Sequence, residues 1–361
     1  GLAKPGRMAG HINGWDEIEP LVNQFDMDRI AEVTTIPRAD IERLAVEFAS
    51  AERPVCYGRT GISMVQFAGL TQWLMQTLNV IVGSMDEIGG MMFPKPAIES
   101  LPLTNSSWDT YRSRVRGRPE FSGEFPMAIL GEEILTPGEG QVRGLVGLAG
   151  NMVLSMADGN NSEKALQALE FYVAVDPYLN ETTRFADIIL PPCGPLEKGH
   201  YDMFYHLYDT INWSKYSQPL FITAHSKWTD FEIFTDLMGL LAARRAQNPL
   251  KKFFVGCTHK LARKFLTPER IVAIGLRMGP YGKGLNPFKK DALSLQKLKD
   301  NPHGIFLGDL EYSFPEGLYT PDKKINLAPQ VFIDVLPRLK AYFVDGGMEE
   351  EQAASEFDLR I

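Results

Sequence analysis

The chain has 361 residues, 44% of them hydrophobic and 23% charged, with a formal net charge of -8 at pH 7; that is enough for two globular domains and too apolar for a disordered chain. The acidic balance argues against a protein whose task is to hold nucleic acid. Its three cysteines, Cys56, Cys193 and Cys257, lie far apart without a CxxC pair, which excludes a zinc or iron–sulfur site built from them alone and a disulfide framework.

In chain order, Asp40 to Ala51 has the spacing of an amphipathic helix, with Ile41, Leu44, Ala45 and Phe48 on one face and Pro37 just before it. Pro54 restarts the chain. Val55-Cys56-Tyr57 is short, apolar and closed by Gly58, the pattern of a buried strand. A second helix is predicted from about Gln66 to Val82, stopped by Gly83. Gly89 to Gly140 is rich in Gly, Pro, Ser and Arg with little periodicity, and is expected to be a long connection between two α/β units. Gly144 to Ala149 predicts a strand ending at Gly150-Asn151, followed by a helix over Glu163 to Leu169 capped by Ser162. Phe171 to Val175 predicts a strand closed by Asp176-Pro177, and Ala186 to Leu190 a third, ended by Pro191-Pro192. Three parallel strands so close together fit a βαβ unit with right-handed crossover.

After Leu241 the pattern loosens and basic residues crowd the chain: Arg244, Arg245, Lys251, Lys252, Lys260, Arg263, Lys264, Lys289 and Lys290. Solvated helix faces explain such a run, as does contact with phosphate or a partner. The tail Glu349-Glu350-Glu351 is acidic. No apolar run is long enough to span a bilayer. The opening Gly1-Leu2-Ala3, with neither Met nor a signal peptide, leads to the expectation that the natural beginning is absent or processed.

This rhythm of helix, strand and glycine turn predicts an α/β fold, doubly wound with mostly parallel sheets. Ligands of such sheets collect outside the carboxyl ends of the strands, here Gly58-Arg59-Thr60-Gly61, Gly150-Asn151, Asp176 and Pro191-Pro192. Glycine lets a phosphate or a ring approach the backbone closely. A carboxylate at Asp176 accepts two ribose hydroxyls, or the N1–H and N2–H of a guanine; equally, it caps the following turn. Thr182 and Thr183 either bond a nucleotide or complete an Asx-type turn. Asp187, beside an apolar strand, calls for a partner if buried, and Arg184 offers a structural ion pair. His200, His206 and His225 lack metal-ligand spacing, and Glu197 with His200 is either an acid/base pair or a surface pair. Composition and spacing alone lead to an α/β nucleotide-binding fold with its ligand open.

Val173-Ala174-Val175-Asp176, then Glu181-Thr182-Thr183, then Ala186-Asp187-Ile188-Ile189-Leu190-Pro191-Pro192 and later Glu197 resemble the molybdopterin oxidoreductase family. That family, with formate dehydrogenases, nitrate reductases and dimethyl sulfoxide reductases in it, carries a valine-rich strand ending in Asp, a Thr, an ADxxLP run and a Glu. Leu78-Asn79, Gly83 and Gly89-Gly90 are similar to its "LN…G" and "GG" sequence, and Gly150-Asn151 to its strand-end "G-N". The likeness runs over roughly residues 25 to 240 and, more loosely, from Lys324 to Leu339.

The resemblance implies a part of a four-domain fold around two molybdopterin guanine dinucleotides and one molybdenum or tungsten. It assigns Gly58, Arg59 and Gly61 to one guanosine-binding α/β domain, and Gly150, Asn151, Asp176, Thr182 and Asp187 to the other, with no catalytic residue in this chain. It sets residues 1–95 as the end of the first domain, 96–240 as the second and 241–361 as a basic linker leading to a barrel beginning near Lys324. The iron–sulfur motif and the Cys, selenocysteine or Ser metal ligand are expected upstream. Met152, where the family often has proline, and Lys198-Gly199-His200-Tyr201-Asp202, where it often has Gly-Thr and a later Asn and Arg, depart from the pattern. The implied whole is an enzyme of the formate dehydrogenase or thiosulfate reductase type. Its partners are the cofactor, the rest of the catalytic polypeptide and an electron-transfer subunit, with neither nucleic acid nor a membrane span. The alternative is a standalone nucleotide-binding or assembly module without redox activity.

Overall fold

The computed structural model describes residues 2–345 except 101–106, 157, 222–227, 247, 249–255, 257, 260, 262, 287 and 290. Cys257, His225, Lys251, Lys252, Lys260, Lys290 and the acidic Glu349–Glu351 tail lie outside the described residues. The described chain is a mixed α/β structure in two units, one from residues up to Pro94 together with those from Asp309 on, the other Lys95–Gly308.

The first unit is held by two distant stretches of chain. Asp26 caps the helix Met27–Thr34 by accepting from the amides of Asp28 and Arg29. The amphipathic helix predicted at Asp40 runs over Arg38–Ser50 behind Pro37. The second predicted helix is Ala68–Ile81, and its Leu70 and Trp73 pack against Leu336 of the helix Leu336–Phe343. Trp73 also stacks on Phe332 at 5.7 Å and donates its indole N–H to the Leu327 carbonyl at 2.8 Å. A parallel pair, Ile12–Asn13 with Ile325–Asn326, joins the same two stretches.

Val55-Cys56-Tyr57 is not a strand. It pairs with no other strand among the described residues, and Tyr57 is exposed. Its neighbour is a side chain: fully buried Asn79 accepts from the Cys56 amide at 2.8 Å and donates Nδ2–H to the Cys56 carbonyl at 2.8 Å. One carboxamide thus meets both backbone needs of Cys56, as a neighbouring strand would. Asn79→Leu strands both groups, and a loss of about 2–4 kcal/mol is expected in urea unfolding. A midpoint unchanged from wild type would mean that water or a rearranged loop serves Cys56 as well.

In the second unit, the stretch expected to be a bare connection holds a hairpin, Trp108–Arg112 with Pro119–Phe121, and a helix, Leu130–Leu135. A polar anchor replaces the missing hydrophobic periodicity. Fully buried Glu120 accepts from the Ser107 hydroxyl, the Thr110 amide and hydroxyl at 2.8 and 2.9 Å, and the Gly123 amide at 3.2 Å. The Ser107 hydroxyl above all, with the Thr110 and Gly123 donors, overcomes burial and lowers its pKa to about 2.

The centre of this unit is a three-stranded parallel sheet, Gly144–Leu148, Phe171–Val175 and Ile188–Ile189, with Phe171–Val175 in the middle. The crossover helix is Gly159–Ala168, longer than predicted. Its cap is Asp158, accepting from the Asn161 amide at 2.9 Å, while Ser162 lies inside the helix and donates to the Asp158 carbonyl. Val153 and Leu166 from the helical side bury Tyr172 and Ala174 of the middle strand.

Beyond Leu241 the helices Pro268–Met278 and Leu295–Lys299 contribute the fully buried Leu276 and Leu298 to a second core with Ile98 and Tyr216. Burying each leucine contributes roughly 1.5–3 kcal/mol. Of the described basic residues, Arg263 donates to Asp236 at 2.6 Å and lies over Trp228, and Lys289 donates to the Gly282 carbonyl. Arg244 and Arg245 close the last turn of the helix Asp230–Arg245, where cations suit the carbonyl end.

Candidate functional site

At the carboxyl end of Gly144–Leu148 the chain turns through two left-handed residues, Ala149 at φ 51° and Gly150 at φ 80°. Nothing lies within 4 Å of a Cβ built on Gly150, so the glycine answers the backbone conformation and leaves the space above the turn open. The Ala149 amide still reaches back to the Val175 carbonyl at 3.0 Å, tying the turn to the middle strand.

That middle strand ends at Asp176, which is only 5% exposed. Its Oδ1 accepts from the Tyr178 amide at 2.8 Å, the Asx-type cap allowed by the sequence. Its Oδ2 takes no donor among the described residues. Asp176 therefore closes a turn with one oxygen, and the other has no donor among the described residues. Below it, burial first and then the Asp176 charge push the Tyr172 phenol above its ordinary pKa.

Asn151 and Thr182 come together across the two loops. Thr182, 1% exposed, donates its hydroxyl to Asn151 Oδ1 at 2.7 Å and accepts from the Val153 amide at 3.0 Å. Asn151 Nδ2 donates to Glu181 Oε2 at 2.6 Å, and this amide is the main reason the Glu181 carboxyl sits below its usual range. Asn180 Oδ1 accepts from the amides of Thr182 and Thr183, and the Thr183 hydroxyl donates to the Tyr178 carbonyl, so Thr183 completes the turn.

Asp187 stands apart from this group. The register pairs Val173 with Ile188, which sets Asp187 beside Tyr172, four residues before Asp176 on the middle strand. It accepts from the Tyr172 amide at 2.7 Å while its own amide donates to the Tyr172 carbonyl at 2.9 Å, extending the ladder. Its expected partner, Arg184, is paired with Glu163 instead.

Gly58, Arg59 and Gly61 belong to the first unit. A Cβ on Gly58 would meet the side-chain ends Ile62 Cδ1 at 2.2 Å and Met75 Sδ at 3.1 Å, so a larger residue there requires Ile62 to shift; nothing lies within 4 Å of a Cβ on Gly61. Arg59 is exposed and its guanidinium is unpaired among the described residues. Of the other candidates, Glu197 accepts from the Gly194 amide, while His200 faces Asp202 at 3.9 Å and does not pair with Glu197. His206 is buried, with Nδ1 on Asp209 at 2.7 Å beside the Trp213 indole on the same oxygen.

Residues 63–238 match the molybdopterin oxidoreductase family. The matched stretch belongs to that family. The chain is 26% identical over 205 residues to the assimilatory nitrate reductase catalytic subunit of Bacillus subtilis, covering 51% of this chain and 28% of that protein. It is also 26% identical over 212 residues to the F420-dependent formate dehydrogenase 2 subunit alpha of Methanococcus maripaludis, covering 55% and 31%. The fold is similar to that of acetylene hydratase from Pelobacter acetylenicus, with a TM-score of 0.63 and 18% identity over 92% of this chain and 46% of that one. The chain thus spans about a third of the length of those two curated relatives.

For a molybdopterin oxidoreductase, a molybdopterin-type cofactor carrying molybdenum or tungsten fits the family. Among the described residues, no three His, Cys, Asp or Glu side chains gather as a metal site, and no helix is long and apolar enough to cross a membrane. Sequence reasoning missed Glu181 and Asn180 in the matched stretch. Both flank Thr182 in the very stretch that carries the resemblance, but their partners lie in contacts that spacing does not display.

Proposed function

We propose that this chain holds the guanosine ends of a molybdopterin guanine dinucleotide pair within a larger molybdenum or tungsten oxidoreductase of the formate dehydrogenase or thiosulfate reductase type. Gly58, Arg59 and Gly61 serve one nucleotide, and Gly150, Asn151, Asp176 and Thr182 the other, with Asp187 supporting the strand beneath. Residues 1–95 and 96–240 are then parts of the two nucleotide domains, and 241–361 leads toward a barrel. The bound metal supplies two-electron exchange with a small substrate. Its protein ligand and the iron–sulfur cluster belong to polypeptide outside this chain, which is inactive alone. The further partners are the rest of that polypeptide and an electron-transfer subunit.

The observation that carries this reading is the buried Asp176 carboxylate at the end of the middle strand, whose Oδ2 has no donor among the described residues. A guanine edge presents N1–H and N2–H side by side, and a carboxylate accepts both; adenine offers an acceptor at N1 instead. The open turn at Gly150 leaves room for the sugar and phosphate.

Titration calorimetry of the chain with GMP and AMP tests it. Hydrogen bonds to a charged group are worth about 1.5–3 kcal/mol, so GMP is expected to bind at least roughly tenfold more tightly than AMP. Equal affinities would remove guanine recognition from this site.

A further inference from the structure

Every hydrogen bond around the Asn151 side chain is directional, and one group sets the direction of all of them. An ionised carboxylate only accepts. Glu181 Oε2 lies 2.6 Å from Asn151, so Asn151 presents Nδ2 to it and turns Oδ1 toward Thr182. Thr182 must then give its single hydroxyl hydrogen to Asn151 Oδ1 at 2.7 Å, which leaves its lone pair for the Val153 amide at 3.0 Å. The relay joins the loop after Gly144–Leu148 to the loop after Phe171–Val175. It engages one N–H and one lone pair of the Asn151 carboxamide, which holds that side chain and the turn that carries it in a single orientation. The amides of Gly150, Asn151 and Met152 have no acceptor among the described residues.

We infer that Glu181 is a positioning residue, which through Asn151 and Thr182 fixes the Ala149–Gly150–Asn151 turn for a nucleotide. The inference rests on the nucleotide-binding reading above, but its structural half stands on the relay itself. Glu181 is exposed and its carboxylate accepts from Asn151, so it acts on the turn by polarity.

Three substitutions separate the cases. Glu181→Gln keeps an oxygen that accepts from Asn151. Glu181→Ala removes the acceptor. Glu181→Lys puts a donor there and demands the flipped carboxamide, which leaves the Thr182 hydroxyl facing two N–H groups. GMP affinity should stay within about threefold of wild type for Gln, fall about tenfold for Ala and fall further for Lys. Hydrogen exchange at the Val153 amide should quicken in the same order, with the melting temperature held. Wild-type GMP affinity and Val153 exchange in the Ala variant would overturn the inference, as would an affinity loss that merely follows a fall in melting temperature. If wild type itself fails to bind GMP, the nucleotide reading falls alone. Val153 exchange then decides the relay: faster in Ala and Lys supports it, unchanged in both overturns it.

Discussion

Asp86→Ala is expected to cost about 3–5 kcal/mol, a large share of the roughly 5–15 kcal/mol that holds a typical domain. Its side chain is fully buried in the first unit and is paired with Arg7. It accepts from the Ser313 amide at 3.1 and 3.0 Å, from the Ser313 hydroxyl at 3.1 Å and from the Phe314 amide at 2.8 Å. Arg7 is a third exposed, so water can take over part of its charge after the substitution. The amides of Ser313 and Phe314 have no such recourse, and most of the loss comes from them. Asp86 also adopts φ 53°, which aspartate tolerates better than alanine. Asp86→Asn should lose a comparable amount, because an asparagine N–H₂ is turned against donors. Arg7→Ala should lose less than Asp86→Ala, because Ser313 and Phe314 still donate to the carboxylate. Urea unfolding of the three variants checks the order; an Asp86→Ala midpoint equal to wild type would mean that other contacts, such as Trp73 on Leu327, hold the two stretches by themselves.

Asp86 also shows why part of this fold could not be seen in the sequence. Its amide partners Ser313 and Phe314 lie more than two hundred residues away, and nothing in local spacing points to them. Where the signal is local, the reading succeeds. The run Phe171–Val175 is continuous, apolar and closed by Asp176-Pro177, and it forms the middle strand. The helix behind Pro37 is likewise announced locally, by its proline and its helical spacing, although Leu44 and Ala45 of the predicted inner face are exposed. Failures occur where a polar group replaces an expected hydrophobic or backbone partner. Val55–Tyr57 has a strand's composition, but Asn79 takes the place of the neighbouring strand. The hairpin at Trp108 looks structureless because Glu120, not an apolar face, organises it. Gly159-Asn160-Asn161 are weak helix formers, and they hid a helix that Asp158 starts four residues before Ser162. In the candidate site, Asn151 was legible as a strand-end residue, while its capture by Glu181, thirty residues on, was not.

Asp176 is the residue on which the proposed function turns, and its two oxygens make two separable predictions. Oδ1 holds the Tyr178 amide and Oδ2 is available to a ligand. Asp176→Asn keeps a group of the same shape and, through its own oxygen, can still accept from Tyr178. It then presents N–H₂ where the guanine donors would arrive, so donor meets donor. Asp176→Ala loses both functions, but water can enter the space it leaves. The expected order of GMP affinity is therefore wild type, then Ala, then Asn, with Asn reduced by roughly a hundredfold or more. Stability should follow a different order, with Ala the less stable because the Tyr178 turn loses its cap, by about 1 kcal/mol. In a holoenzyme carrying this chain, the same order as for GMP is expected in molybdenum or tungsten content, read by elemental analysis of purified protein. A structural role predicts the reverse, with Asn nearly normal and Ala impaired in both occupancy and stability. An Asn variant that binds GMP and retains metal like wild type would leave Asp176 as a turn cap and no more.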